Sequence, residues 1–198
     1  MFRTNVQDNP IFRTMKIFPE LQSERLILGE ILPRHVPEIT ELVNNPKIAQ
    51  MTLHIPHPYE RKDAEEWIIK VRHYFESEGR YSFGIRLKSN DAFIGAMGIH
   101  PNKEYYKAEL GYWIGEPYWN QGYASEAMGA ILKFGFEELG MNKLFAQHLI
   151  DNPASGKVMI KNGMIKEGVL IDDIKKGDEF QSLVQYRLTQ AEYKALNP

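Results

Sequence analysis

The stretch 108–126, AELGYWIGEPYWNQGYASE, combines a strand pattern, a glycine-containing turn and the start of a helix. The first amides of a helix have no partner inside the helix and carry a partial positive charge, so such a turn can hold a phosphate group. Gly122 lets the backbone approach a ligand closely, and Ala124 is small enough to do the same. Ser125 would either cap the helix or donate its hydroxyl to the phosphate. Taken alone, the pattern also fits an ordinary strand-to-helix connection, and it lacks the glycine and lysine spacing of known nucleotide-binding loops.

Two other residues carry groups that could transfer protons. Glu109 lies on the predicted strand just before the turn, between Ala108 and Leu110. Its carboxylate is a candidate general base, and a solvated or ion-paired carboxylate is the alternative. Ser155 follows Asn152 at the start of a predicted helix, where serine is also typical of a helix cap. The residue types alone leave both alternatives open at both positions.

Alternating and helical apolar patterns predict the elements that must position these residues. Because strand 108–114, a helix and strand 143–150 follow one another, we expect a βαβ-like unit there. The prolines between 46 and 58 predict a loop, and Lys175–Asp178 reads as a solvated turn between the final strands. The whole order predicts an α/β (α+β) sheet with helices on both faces. The predicted strands are 21–32, 81–87, 92–100, 108–114, 143–150 and 183–188, and the predicted helices are 33–43, 63–77, 125–139 and 154–161.

The composition restricts the classes of function. The 198 residues suit one domain, and the absence of cysteine excludes disulfides, thiolate metal sites and a cysteine nucleophile. The six histidines show no metal-ligand spacing, and a net charge of −2 offers no general attraction to nucleic acid or anionic membranes. The chain has no apolar run near the length of a membrane helix, and residues 1–20 lack the apolar stretch of a signal peptide. We therefore expect a cytoplasmic protein that binds neither nucleic acid nor membranes and that needs no metal.

The run YWNQGYASEA at 118–127 closely resembles the pyrophosphate-binding motif of the GNAT acetyltransferase superfamily, Gln/Arg-x-x-Gly-x-Gly/Ala. Gly122 and Ala124 match its last two defined positions, whereas Trp119 replaces the Gln or Arg. That replacement is common in the ribosomal-protein N-terminal acetyltransferase (RimJ/RimL-type) branch, and it implies that one polar phosphate contact is missing. Further runs resemble the same branch, so that the resemblance covers about 21–188. They are SERLILGEIL at 23–32, PHPY at 56–59, FIGAMGIH at 93–100, NPAS at 152–155 and NGM at 162–164.

This resemblance implies a GNAT fold with a mixed central sheet of six to seven strands, splayed where coenzyme A binds. In the implied reaction Glu109 accepts the proton of the amine, directly or through water, and Ser155 protonates the sulfur of coenzyme A. Ser155 is implied because Met159 stands where many relatives carry a tyrosine. Backbone amides near Trp113–Gly115 would stabilise the oxyanion. The residues expected to bind the cosubstrate acetyl-CoA are Trp113, Ile114, Gln121, Gly122, Tyr123, Ala124, Ser125, Asn152 and Ser155.

The matching branch acetylates protein N-termini, which predicts a peptide α-amine as acceptor, attacked directly in a ternary complex. Related enzymes modify polyamines, amino acids or antibiotics, so a small amine is the alternative, followed by a non-catalytic regulator that binds coenzyme A. We expect His54, Tyr59 and Tyr112 to line the acceptor pocket, and the protein to be a monomer or a homodimer. The expected organisation is an N-terminal extension over 1–20, an N-acetyltransferase domain over 21–190 and a tail over 191–198.

Overall fold

The computed structural model describes residues 16–197, so most of the expected extension over 1–20 lies outside the described residues. The strands along this part of the chain are β1 (Leu21–Gln22), β2 (Leu26–Glu30), β3 (Tyr81–Leu87), β4 (Phe93–Asn102), β5 (Lys107–Ile114), β6 (Lys143–Leu149), β7 (Ile165–Lys176) and β8 (Glu179–Thr189). The α-helices are α1 (Val36–Val43), α2 (Pro46–Met51), α3 (Arg61–Glu78), α4 (Tyr123–Lys133), α5 (Pro153–Lys161) and α6 (Gln190–Leu196). Short 3-10 turns lie at Pro33–His35 and Glu116–Tyr118, and one π-type turn, Phe134–Glu138, extends α4.

The strands form one eight-stranded sheet in the order β1-β2-β3-β4-β5-β6-β8-β7. Only β5 and β6 run parallel, and α4 connects them, so the predicted βαβ-like unit is present. The other neighbouring strands pair antiparallel. The sheet has more strands than the expected six to seven, because the predicted strand 21–32 divides into β1 and β2, and β7 adds an outer strand beside β8.

The two parallel strands separate in the middle of the sheet. β5 and β6 pair only from Lys107 with Lys143 to Leu110 with Ala146. Beyond that point β5 stays with β4 as far as Ile114, and β6 stays with β8 as far as Leu149. A gap therefore opens between the carboxyl-terminal halves of β5 and β6, as the expected splay requires.

Helices cover both faces of the sheet, which confirms the predicted α+β architecture. On one face α4 and α5 pack over β5 and β6, where Met128 and Ile131 are fully buried with Leu110. On the other face α1 and α3 pack over β3 and β4, where Ile39 and Ile68 are buried. The alternation along β5 sends neighbouring side chains to opposite faces.

The prediction of a loop between residues 46 and 58 was wrong for its first part, where the chain forms α2. Asn45 caps this helix, since its side-chain oxygen accepts the amide proton of Lys47 at 2.9 Å. Pro46 occupies the first helical position, where its missing N–H has no cost. Asparagine followed by proline is typical of a helix start, and the loop prediction overlooked it because it counted the prolines as helix breakers.

The solvated turn predicted over Lys175–Asp178 was also wrong in part, because Lys176 is engaged. Its ammonium group donates to the carbonyls of Ala49, Gln50 and Thr52 at 2.7, 2.8 and 2.7 Å. Those carbonyls lie at the C-terminal end of α2, where a cation is favoured by the helix dipole. The tip of the β7–β8 hairpin is therefore fixed against α2.

The residues expected as a C-terminal tail form α6 up to Leu196. Thr189 and Glu192 make a capping box at its start, and the ring of Tyr193 stacks on Phe136 with centroids 4.7 Å apart. At the other end Phe18, assigned to the extension, packs against the folded sheet. The packed unit is therefore wider than 21–190 at both ends.

Candidate active site

The start of α4 has the geometry of an anion-binding turn. Gly122 is its N-cap with φ of +83°, in the left-handed region that favours glycine. The first helical hydrogen bond runs from Glu126 N–H to Gly122 O at 3.0 Å, so the amides of 123–125 precede it and have no helical acceptor. Ser125 lies in the first turn and does not cap the helix. Gly122, Ser125, Glu126 and Lys161 border a hollow of about 490 Å³.

Two side chains hold this turn in place. The indole N–H of Trp119 donates to Ile114 O at 2.6 Å, and Gln121 Nε2 donates to Pro117 O at 2.9 Å. Asn120 between them has φ of +60°. Because the indole of Trp119 and the side-chain amide of Gln121 are engaged within the turn, neither is free for a phosphate, whereas the backbone N–H groups of 123–125 have no helical acceptor.

Arg25, at the entry to β2, joins the turn from a distant part of the chain. Its Nε lies 2.7 Å from Glu126 Oε2, and its Nη1 donates to Gln121 O at 3.1 Å. The other oxygen of Glu126 accepts from the Arg25 amide and from the Ser23 hydroxyl, both at 2.7 Å. Burial alone would raise the pKa of Glu126, but these donors outweigh it and hold the pKa below its usual value. Glu126 is therefore an ionised anchor for Arg25.

The backbone of β5 offers further donors in the gap. Gly115 N–H donates to Ile94 O at 2.9 Å, so Gly115 is bonded towards β4. Because residues of an antiparallel pair alternate in direction, Trp113 also bonds towards β4, whereas Tyr112 and Ile114 face the β6 side. β6 has diverged at this level. Of the stretch expected to bind the oxyanion, the amide of Ile114 is thus the one directed into the gap.

Tyr112 and Ser155 meet beside the gap. Their hydroxyl oxygens are 2.7 Å apart, and the Tyr112 hydroxyl also lies 3.4 Å from the backbone oxygen of Ser155. Burial raises the pKa of Tyr112 to about 12, although the hydrogen bond with Ser155 lowers it, so the phenol keeps its proton near neutral pH. The cap of α5 is Asn152, whose side-chain oxygen accepts the Ser155 amide at 3.3 Å. The cap role considered for Ser155 therefore belongs to Asn152, and the Ser155 hydroxyl is left for Tyr112.

Glu109 lies on the opposite face of β5 from Tyr112, in the last paired stretch before the gap. It stands opposite His100 on β4, and its side chain is exposed. Within residues 16–197 its carboxylate makes no hydrogen bond or ion pair. The alternative of an ion-paired strand carboxylate is therefore excluded for this part of the chain, which leaves a solvated carboxylate or a base.

A groove of about 880 Å³ runs along one end of the sheet. The segment 46–57 forms one wall, the tip of the β7–β8 hairpin forms the other, and Leu149 and Asp151 lie between them. His54, one of the residues predicted for the acceptor pocket, lines this groove. Asn152 donates to Met51 O at 3.4 Å, a long contact that joins the groove wall to the start of α5.

Two predicted site residues lie elsewhere. Tyr59 is only 7% exposed and belongs to the core under α1 and α3, so it does not line the groove. The ring of Trp113 packs near Trp67 and Phe93, with centroids 6.4 and 6.1 Å away. Trp113 therefore does not face the gap between β5 and β6, because its ring packs on the other face of the sheet and its backbone is bonded to β4. Both aromatics were chosen because they lie near the expected site in the sequence, which does not show whether a side chain is packed into the core.

The profile of the acetyltransferase (GNAT) domain matches residues 25–165. This range contains the turn at Gly122, both separating strands and Ser155. The chain belongs to the GNAT acetyltransferase family. It is an N-acetyltransferase that depends on acetyl-CoA, and the resemblance found in the sequence is confirmed.

Curated relatives of this GNAT enzyme match over most of their length. It is 29% identical over 159 residues to the uncharacterized N-acetyltransferase YoaA of Bacillus subtilis, covering 78% of this chain and 87% of that protein. It is 26% identical over 150 residues to the ribosomal-protein-serine acetyltransferase of Escherichia coli, covering 75% and 83%.

Solved structures share the fold. A GNAT-family acetyltransferase from Bacillus anthracis superposes with a TM-score of 0.78 at 24% identity, covering 87% of this chain and 99% of that one. The spermidine N-acetyltransferase of Vibrio cholerae, solved with CoA and spermine, has a TM-score of 0.72 at 20% identity, covering 85% and 98%. At these identities the likeness establishes the fold alone.

The structure of this GNAT enzyme also reveals residues that the sequence analysis missed. Arg25 and Glu126 are 101 positions apart, and no local pattern joins them. His148 is 8% exposed, its Nδ1 contacts Leu149 O at 2.7 Å, and its Nε2 has no partner among the described residues. A Cβ at Gly156 would lie 2.8 Å from that nitrogen, which explains the glycine.

Residues 16–197 contain neither a metal-binding cluster nor a membrane-spanning helix. This part of the chain contains no group of three or more His, Asp or Glu side chains placed to hold a metal. None of its helices combines the length and the apolar character needed to cross a bilayer.

Proposed function

We propose that the acceptor is the α-amine of a peptide N-terminus, as in the ribosomal-protein acetyltransferases. The observation that carries this proposal is the groove of about 880 Å³ beside the end of β6. Its volume lies near the upper end of the roughly 300–1,000 Å³ of small-molecule sites. A groove of this size between two chain segments suits an extended peptide better than a single small amine.

The charges of the groove support the same acceptor. Asp151, Glu179 and Lys176 line it, and the ammonium group of Lys176 is bound to three carbonyls. A polyamine with several positive charges would be favoured by a strongly acidic pocket, which this lining does not provide. The 26% identity with the ribosomal-protein-serine acetyltransferase points in the same direction.

The donor side fits acetyl-CoA. We propose that the amides of 123–125 and the open side of Gly122 bind its pyrophosphate. The backbone N–H groups of Tyr112 and Ile114 would meet its pantetheine arm and the reacting carbonyl. The hollow of about 490 Å³ at the phosphate turn and the adjoining gap provide room for these groups.

For the proton transfers, we propose Glu109 as base and Ser155 as acid. Glu109 does not line the groove, so it would accept the amine proton through a water molecule. On the other face of β5, Ser155 would donate its proton to the departing sulfur and recover one from Tyr112, with which it shares a 2.7 Å hydrogen bond, and Tyr112 would regain its proton from water before the next turnover. The amine attacks directly, since the chain has no cysteine to carry the acetyl group.

The experiment is a comparison of acceptors by the rate of thiol release from acetyl-CoA. Peptides with free N-terminal Ser, Ala or Met are compared with the same peptides blocked at the N-terminus, and with polyamines and amino acids. We expect the highest kcat/KM with free peptides and no reaction with blocked ones. A higher kcat/KM for a small amine would favour the alternative acceptor. Binding of CoA without thiol release for every amine would identify a non-catalytic regulator.

A groove variant tests where the peptide binds. Leu53→Trp fills the groove and should raise the KM of the peptide, while the KM of acetyl-CoA stays unchanged. Ile69→Trp on α3, at a side chain that is 70% exposed, is the matched control and should change neither value. An unchanged KM of the peptide in Leu53→Trp would place the acceptor outside this groove.

A further inference from the structure

The side chain of Arg25 is fixed by three different contacts. Glu126 and Gln121 O hold its Nε and Nη1, at 2.7 and 3.1 Å. Its guanidinium carbon lies 4.5 Å from the centre of the Tyr123 ring, within the range of a cation–π contact. A long, flexible side chain is thus held in one orientation against the phosphate turn, although 44% of its surface is exposed.

The remaining nitrogen of this guanidinium is directed towards the turn. Nη2 makes no hydrogen bond with residues 16–197, and it lies 3.4 Å from the position that a Cβ would take at Gly122. Arg25 and Gly122 both line the hollow of about 490 Å³. An unused N–H pair therefore stands beside the residue at which the free amides of α4 begin.

Trp119 occupies the position at which the phosphate motif carries a Gln or Arg, and its indole is bound to Ile114 O. Trp119 therefore offers no free donor to a phosphate at that position, although Ser125 still carries a hydroxyl in the first turn of α4. We infer that Arg25, just before β2, takes the place of that Gln or Arg and binds the diphosphate of coenzyme A through Nη2, while Glu126 positions it. The inference rests on the proposed donor site at Gly122–Ser125 and adds a specificity-determining residue to it.

Coenzyme A has two sources of phosphate, the diphosphate and the 3′-phosphate of its ribose. The position of Nη2 beside Gly122 favours the diphosphate, because the same residue begins the run of free helix amides. Lys161 also lines the hollow and is a separate cation there. Arginine suits a diphosphate because its planar fork can use two nitrogens for protein contacts and still present a third.

The test measures the affinity of Arg25→Gln for coenzyme A, dephospho-coenzyme A and pantetheine by calorimetry. A charge-assisted hydrogen bond to phosphate corresponds to a loss of about tenfold or more in affinity. We expect this loss for the first two ligands by the same factor, and no change for pantetheine, which has no phosphate. Arg61→Gln is the matched control, since Arg61 forms an exposed pair with Glu65 at 2.7 Å on α3 and should leave all three affinities unchanged.

Three results would overturn the inference. They are an unchanged affinity of Arg25→Gln for coenzyme A, a loss that vanishes with dephospho-coenzyme A, and a loss that extends to pantetheine. The second would assign the 3′-phosphate, and the third would mean that Arg25 only supports the turn. If Arg25→Gln does not fold, Arg25→Lys keeps a charge without the fork and should still weaken the two phosphate ligands selectively. A wild-type protein that binds pantetheine as tightly as coenzyme A would instead refute the donor site itself.

Discussion

Replacing Ser155 with alanine removes the hydroxyl that lies 2.7 Å from the phenol oxygen of Tyr112. If Ser155 protonates the departing sulfur, kcat should fall by about 100-fold or more, the usual range for loss of a general acid. The affinity for acetyl-CoA should change little, because the proposed phosphate contacts lie on α4 and are untouched. A selective loss of kcat is the expected signature.

The cost in stability should be small, and the structure gives its size. Asn152 rather than Ser155 caps α5, so the helix start survives the change. Tyr112 keeps the backbone oxygen of residue 155 as an acceptor at 3.4 Å, so its phenol is not left without a partner. The loss of one hydrogen bond is worth about 1 kcal/mol, which lowers the Tm of a domain of this size by roughly 2–4 °C.

The assay follows thiol release at saturating acceptor, and thermal unfolding is measured on the same samples. Ser77→Ala is the matched control, because the Ser77 hydroxyl donates to His73 O at 2.8 Å on α3, far along the chain from the site. It should lose a similar hydrogen bond and keep its kcat. A kcat of Ser155→Ala within threefold of wild type, with the same small loss of Tm, would show that the serine is structural.

Tyr112→Phe extends this test to the pair. If Tyr112 returns the proton to Ser155, the two residues act as one unit, and the double variant should be no slower than Ser155→Ala alone. Multiplying effects would show that the two hydroxyls act independently. Comparing the two single variants with the double variant thus distinguishes a coupled proton relay from two independent polar contacts.

Three further predictions concern the turn, the base and the buried phenol. Gly122→Val puts a β-branched residue at φ of +83°, so coenzyme A should bind more weakly in calorimetry, and an unchanged affinity would remove the phosphate site. Glu109→Gln should lower kcat between pH 6 and 9 at unchanged affinity for acetyl-CoA, and a larger loss in Asp151→Asn, which alters the carboxylate in the groove, would move the base there. The pKa of Tyr112 is raised from 10.0 to about 12, so its contribution to stability is complete below about pH 10 and is lost as the pH rises towards 12. Alkaline unfolding of Tyr112→Phe should lack that part of the loss, whereas curves of the same shape for both proteins would contradict it.

The sequence predicted most elements, because each depends on contacts between near neighbours. The helix patterns at 63–77 and 154–161 correspond to α3 and α5 within a few residues. The turn at Gly122 and the helix after it were predicted for the same reason, since a glycine before a helix is a local signal. The Asn-Pro start of α2 was equally local and could have been recognised from the preference of asparagine for the N-cap position.

The contacts that define the site were not predictable in the same way. Tyr112 and Ser155 are 43 positions apart, and Arg25 and Glu126 are 101 apart. Their meeting depends on the order of the strands and on the faces to which their side chains point. The same dependence explains Tyr59, which the sequence placed in the acceptor pocket and the fold places in the core.

The gap between β5 and β6 follows from how the sheet is paired. The crossover through α4 makes these strands the only parallel neighbours in the described sheet, and each also has an antiparallel partner. Past Leu110 each strand keeps its antiparallel partner and leaves the parallel one, which is the slightly weaker pairing. The N–H groups of Tyr112 and Ile114 consequently face the gap without a strand to accept from them. Backbone N–H groups without an acceptor are costly once water is excluded. A ligand arm that carries amide groups, as pantetheine does, would supply the hydrogen bonds that β6 no longer makes with β5.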